Sequence, residues 1–402
     1  MAGLHLTHFC IIHHCMTHHP RNPFEFGRVL GAEEIIDREE EIQAVRRTIA
    51  NRGKLFLIGP RRFGKSSVLK AAAELEEREG AVVLRFDAEK YETLDALSRA
   101  LLLAATRRLE GSWERAAAAV GRFFARLLPE ITMDPASGEM SVRLGAVRSG
   151  GDDLPALTMV LDGIEAMGQE SNRPVAVFLD EFQRVARDRA AEGRIRATVQ
   201  EHGAVAYVFA GSQTTLLREM TGASDRPFYR LGERLFLDAV PRAAFRDFIH
   251  AALARTGFES SEPAVERILD RAADVPFNVQ QLAHYAWEEI RAEGGAFDVD
   301  RVEAALERLV RNEDPFYTHL WAELTENQRK ALKAVAELGG RELYGQASTE
   351  AYGLSASSMQ AGVRDLIRRG LVREVHEAGA EGVRLVDPFF ARWLEVVQRN
   401  TG

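Results

Sequence analysis

Residues 59–66, GPRRFGKS, fit the pattern G-x-x-x-x-G-K-[ST] at every position. The flanks carry the constraint. KLFLIG (54–59) reads as a buried strand, and SSVLKAAAELEE (66–77) reads as a helix. A strand, a glycine-bounded turn and a helix in that order gather main-chain amides and a helix N-terminus around one point, which makes an anion site. Gly59 and Gly64 let the backbone curl, and Pro60, Arg61, Arg62 and Phe63 fill the turn between them. Lys65 is placed to reach β- and γ-phosphates, Ser66 offers a hydroxyl to Mg²⁺, and Ser67 follows on the helix. Only 6 of the 52 basic residues are lysines, so a lysine at this position is harder to ascribe to composition.

Four further apolar runs follow: AVVLRFD (81–87), VAVFLD (175–180), AVAYVFAGS (204–212) and LFLDAV (235–240). They are too apolar for half-exposed strands. The pattern predicts an α/β fold over 22–240, a P-loop NTPase parallel sheet with helices on both faces. EITMDPASGEMSVRLG reads as a hairpin inserted near 130–146 in the long connection 112–172. Residues 241–312 read as an all-helical lid domain, opened by Pro241. From 313 to 402 the pattern is three helices and a small hairpin, the order of a winged-helix domain, with Thr325 and Gln328 forming a capping box.

The second chemical signal is VAVFLDEFQ (175–183), an apolar strand ending in Asp180-Glu181. At a strand's C-terminal end these carboxylates face the crevice of a parallel sheet. Asp180 is expected in the Mg²⁺ shell, and Glu181 is expected to polarise an attacking water. A third strand ends in FAGSQ (209–213), which brings forward Ser212 or Gln213 as γ-phosphate or water contacts. SDRPFYRLGER offers Arg226 and Arg230 as catalytic arginines, with Arg234 ranked behind them.

Composition narrows the class. The net charge is −8 and the pI about 5.9, so nucleic acid is not bound through bulk charge, and a local basic face would be needed. The two cysteines, Cys10 and Cys15, exclude a disulfide-stapled fold and fit a reducing cytoplasm. No apolar run is long enough for a transmembrane helix, and no signal peptide is evident. Residues 1–21 hold six of the 11 histidines and both cysteines in a spacing that fits no regular zinc pattern. The expectation there is a disordered extension, with Met16 as an alternative start.

Together the motifs resemble the archaeal-type ATPase family of the AAA+/STAND group. NPFEFG…IIDREEEI (22–42), LDEFQ, RPFYR, ADVPFNVQQLAHYAW (273–287) and VRLVDPFFARWL (383–394) carry the likeness. The resemblance implies ATP or ADP as ligand with Mg²⁺, and an ATPase. It implies that Asn22, Pro23, Phe24 and Arg38 lie near the adenine, and that Pro276 brings the lid onto the nucleotide. Where the family has glycine in that lid motif this chain has Asp274, and Asn278 or Gln281 stand in the usual place of a lid arginine.

In LSASSMQAGVRDLIRRG, Ser355 reads as an N-cap, Ser357, Ser358 and Gln360 as outward residues, and Val363, Leu366 and Ile367 as core. Such a helix can enter a DNA groove. Residues 325–402 carry 11 basic and 10 acidic residues, so a protein contact stays open beside DNA. The leading expectation is an ATP-hydrolysing switch that acts on its winged helix, alone or in an oligomer. The alternative is a DNA-binding regulator or mobile-element factor controlled by nucleotide.

Overall fold

The computed structural model describes residues 21–109, 130–133, 140–143, 154–212, 214–377 and 380–401. The expected tail, but for Arg21, and Gln213 lie outside them. After α1 (Glu39–Ala50) come β1 (Lys54–Ile58), α2 (Lys65–Arg78), β2 (Val82–Asp87) and α3 (Leu94–Leu109). The hairpin strands β3 (Glu130–Met133) and β4 (Met140–Arg143) pair antiparallel, as their alternating pattern predicts. Then follow α4 (Leu154–Glu170), β5 (Val175–Asp180), α5 (Arg189–Gln200), β6 (Val205–Gly211), α6 (Thr214–Gly222) and β7 (Glu233–Phe236).

All five apolar runs join one parallel sheet in the order β2-β5-β6-β1-β7. Alternation splits each strand between two buried layers. Leu55, Leu57, Phe178 and Val208 pack under α1 and α2, while Phe56, Ile58, Leu179 and Phe209 pack under α3, α4 and α5. The fifth strand is shifted from its expected place at 235–240. It runs from Glu233 to Phe236; the Leu237 amide still donates to the Ile58 carbonyl at 2.7 Å, and beyond it the Asp238 carbonyl is taken by Arg38 Nη2 at 2.6 Å.

The lid is α7 (Arg242–Arg255), α8 (Glu262–Ala272), α9 (Pro276–Glu293) and α10 (Val299–Ala322). Helix α10 runs through the expected boundary at 312/313, with Pro315 inside it. Then come α11 (Glu326–Leu338), α12 (Gln346–Ala351), α13 (Ala356–Arg368), the antiparallel pair β8 (Val372–Glu377) and β9 (Ala380–Leu385), and α14 (Phe389–Thr401). The Thr325–Gln328 capping box and the Ser355 N-cap form as expected. The lid and the winged helix share one buried cluster, from Phe245 and Trp287 through Leu309 and Tyr317 to Met359 and Trp393. Among the described residues no helix is long and apolar enough to cross a membrane.

The start of β6 is pinned by Glu165 of α4. Its carboxylate accepts the amides of Gly203, Ala204 and Val205 at 2.9, 2.8 and 3.0 Å. Burial pushes this carboxyl up, but the amides of Gly203 and Ala204 and the Gln169 side chain pull it down further, to below its ordinary value. A depressed folded value stabilises above the unfolded one and is lost as pH falls through the folded one. Glu165→Ala should therefore cost about 2 kcal/mol at neutral pH, read by urea melts. The difference from wild type should shrink below pH 4.

Candidate functional site

The strand order sets β6 between β1 and β5. The phosphate loop after β1 and the acidic pair after β5 thus flank the residue that follows β6, Ser212. Ser66 Oγ donates to Asp180 Oδ2 at 2.6 Å, across the width of one strand. Asp180 Oδ1 accepts the Glu181 amide at 3.0 Å. Glu181 adopts a left-handed backbone, φ 50°, which breaks the strand and turns its side chain into the pocket lined by Lys65 and Ser66. There Glu181 Oε2 accepts from Ser212 Oγ at 2.9 Å and from the Gln183 amide. Gln183 fits because Gly211 lacks a Cβ: one built there would lie 2.3 Å from Gln183 Oε1.

The loop curls over the start of α2. Gly64, φ 90°, is its left-handed N-cap, as its glycine predicts. Gly59 serves a different purpose from the one expected. A Cβ there would sit 2.7 Å from Leu237 Cβ, so glycine lets the loop pass β7's exit. The second left-handed residue of the loop is Arg62, φ 70°, which no local signal marks. Lys65 Nζ donates to the Pro60 carbonyl at 2.9 Å, inside the loop. Burial lowers its pKa, and the charges of Glu181 and Asp180 oppose that. Burial raises Asp180, opposed by the Ser66 hydrogen bond and Lys65. An anion with more charge than these two carboxylates would favour the lysine's protonated form.

The rest of the pocket is built by the segment before α1 and by the lid. Leu30, Ile35, Val240 and Phe245 form an apolar wall, with Pro276, Phe277 and Gln280 on the lid side. Pro276 thus lines the pocket, as does Arg38, which also donates to the Asp238 carbonyl. Ser67 lines it too, while accepting the Leu30 amide at 3.1 Å.

Two of the opening residues are placed otherwise than expected. Asn22 Nδ2 donates to the His284 carbonyl at 3.1 Å, and Phe24 is buried in the lid core against Phe248. They anchor the opening segment on α9, and Pro23 borders an adjoining pocket. Sequence reasoning missed the apolar wall, whose signal was the run of Leu30, Ile35 and Ile36 just after the NPF element. It also missed Gln280, next to the Gln281 it named; Gln281 is buried away from the pocket lining.

Neither catalytic-arginine candidate lines this pocket. Arg226 is held by Glu192 and, at 3.0 Å, by Glu219, with only 10% of its side chain exposed. Arg230 sits on a left-handed backbone with its guanidinium 5.1 Å from the Tyr229 ring. The basic side chains that do line it, besides Lys65, are Arg28, Arg38, Arg61 and Arg62.

Solved structures share the fold over nearly the whole chain. A Walker-type ATPase of Pyrococcus abyssi, paby2304, superposes with a TM-score of 0.61 at 17% identity, covering 93% of this chain and 99% of its own. The Aeropyrum pernix ORC2 protein, in its ADPNP–ADP complexes, gives 0.52 at 18% identity, covering 94% and 97%. A family model described as a probable winged helix domain matches residues 315–396. This chain has the fold of a Walker-type ATPase that ends in a winged helix. No curated protein sequence matches it.

In this Walker-type fold the winged helix begins inside α10, which is why the shared core leaves no linker at 313. Its hairpin faces the phosphate loop: Arg373 of β8 lies 5.0 Å from the Phe63 ring. Gly59→Ala should force Leu237 and the loop apart and cost about 1–3 kcal/mol, read as a lower melting temperature.

Proposed function

We propose that the chain binds ATP with Mg²⁺ in this crevice, hydrolyses it, and passes the nucleotide state to its winged helix. The observation that carries this reading is the 2.6 Å pairing of Ser66 Oγ with Asp180 Oδ2. A helix-start hydroxyl and a strand-end carboxylate make a hard-oxygen pair, and Mg²⁺ takes few protein ligands while keeping several waters. Bound there, the ion neutralises charge on the phosphate oxygens.

The chain's own residues then divide the work. Lys65 and the N-terminus of α2 hold the phosphates. Glu181 takes a proton from water, its carboxylate oriented by Ser212 and Gln183. The apolar wall of Leu30, Ile35 and Phe245 receives the base. The ADPNP and ADP of the Aeropyrum pernix ORC2 structure support an adenine nucleotide. With Arg226 committed to Glu192 and Glu219, an arginine at the terminal phosphate comes either from the pocket's own lining, which includes Arg61 and Arg62, or from a second copy of the chain.

A second reading, nucleotide-controlled DNA binding, draws on α13. Ser357, Gln360 and Arg364 are exposed on it, over the buried Met359, Val363 and Leu366. Against it, Arg368 is paired with Asp365 and Arg369 with Glu323, which spends basic charge locally.

Lys65→Ala should abolish ATP binding in calorimetry. Glu181→Gln should keep binding and lower turnover by about 10²-fold or more; turnover equal to wild type refutes the assignment. Arg364→Glu should weaken a gel shift at low salt under the DNA reading, and the absence of any shift in wild type removes that reading.

A further inference from the structure

Arg62 is the point at which the phosphate loop meets both domains that follow it. Its carbonyl accepts the Phe277 amide at 3.3 Å, and its guanidinium lies 4.9 Å from the Phe277 ring. Nη1 donates to Asn278 Oδ1 at 3.3 Å and to Asp387 Oδ2 at 3.0 Å. Asn278 is fully buried, and its Nδ2 has no hydrogen-bond partner. Asp387 is equally central. Its Oδ2 also accepts the Tyr317 hydroxyl of α10 at 3.3 Å, and its Oδ1 accepts the Phe389 amide at 3.1 Å, at the start of α14.

Arg62, like its neighbour Arg61, lines two cavities, and it is Arg62 that is hydrogen-bonded to both following domains. One is the pocket it shares with Lys65, Ser66 and Glu181. The other lies beneath the winged helix, against Tyr317, Asp387 and Phe390. Two anions can therefore claim one guanidinium: the Asp387 carboxylate on one side and a phosphate on the other. The lid's contribution to the phosphate pocket is Phe245, Pro276, Phe277 and Gln280, none of them charged. Arg62 is the cation that is bonded there to the lid through Asn278 and to the winged helix through Asp387.

We propose that Arg62 is a two-position residue, bound to Asp387 or to the terminal phosphate, and that a triphosphate frees the winged helix by taking it. The proposal rests on the nucleotide reading above and adds the residue pair that carries the signal. A phosphate offers three strong acceptor oxygens against one shared carboxylate, so the exchange runs toward the nucleotide. Coupling is reciprocal: the latch weakens triphosphate binding by the same factor by which the triphosphate weakens the latch, so weakening Asp387 as a competitor tightens the triphosphate.

The test uses the full chain and measures ATP and ADP dissociation constants by calorimetry. Asp387→Asn keeps a capping oxygen for α14 while removing the charge. It should raise the preference for ATP over ADP by about 5-fold and raise amide exchange over 386–396 with ADP bound to the level wild type shows with ATP. In an Arg62→Ala background the same substitution should leave the preference unchanged. Asp387→Ser, also a cap former, serves if Asp387→Asn does not fold. A preference within about 1.5-fold of wild type, or an equal shift in both backgrounds, overturns the latch while leaving the nucleotide site intact. Failure of wild type to bind either nucleotide overturns both.

Discussion

One hydrogen bond at the mouth of the sheet, from Ser66 to Asp180, ties together two strands that do not touch each other. Because β6 lies between β1 and β5, the loop and the acidic pair are separated by one strand's width, and the end of β6 projects a residue into the gap. Ser212 fills that position and holds Glu181.

The same economy governs the joints between domains. The lid and the winged helix share a single core along α10, so they behave as one body against the sheet. Polar contacts between that body and the rest of the chain include those of Arg62 with Asn278 and Asp387 and those of the opening segment with α9, through Asn22 and Glu25.

Most of the candidate site was legible in the chain because it is local. Gly64, Lys65 and Ser66 lie within one turn, and Asp180 and Glu181 follow their strand directly. The misreadings share a different cause. The direction of a side chain in an irregular segment is set by what it packs against, and for Phe24 that partner is Phe248, far along the chain. Where β7 was expected to continue, an arginine 200 positions earlier takes the carbonyl of Asp238. Gly59 was assigned to backbone freedom when its neighbour Leu237 is what excludes a side chain.

The amino-acid order by itself determined which residues can chelate, donate and take a proton, since glycine, lysine, serine and paired carboxylates in fixed register with a strand and a helix leave little choice. It also determined the winged helix, through caps and a periodic apolar face. Only the tertiary structure decided the order of the strands, the withdrawal of Arg226 into an internal ion pair, and the meeting of Arg62 with Asp387. Those depend on side-chain contacts across tens to hundreds of residues, whose energies no local pattern encodes.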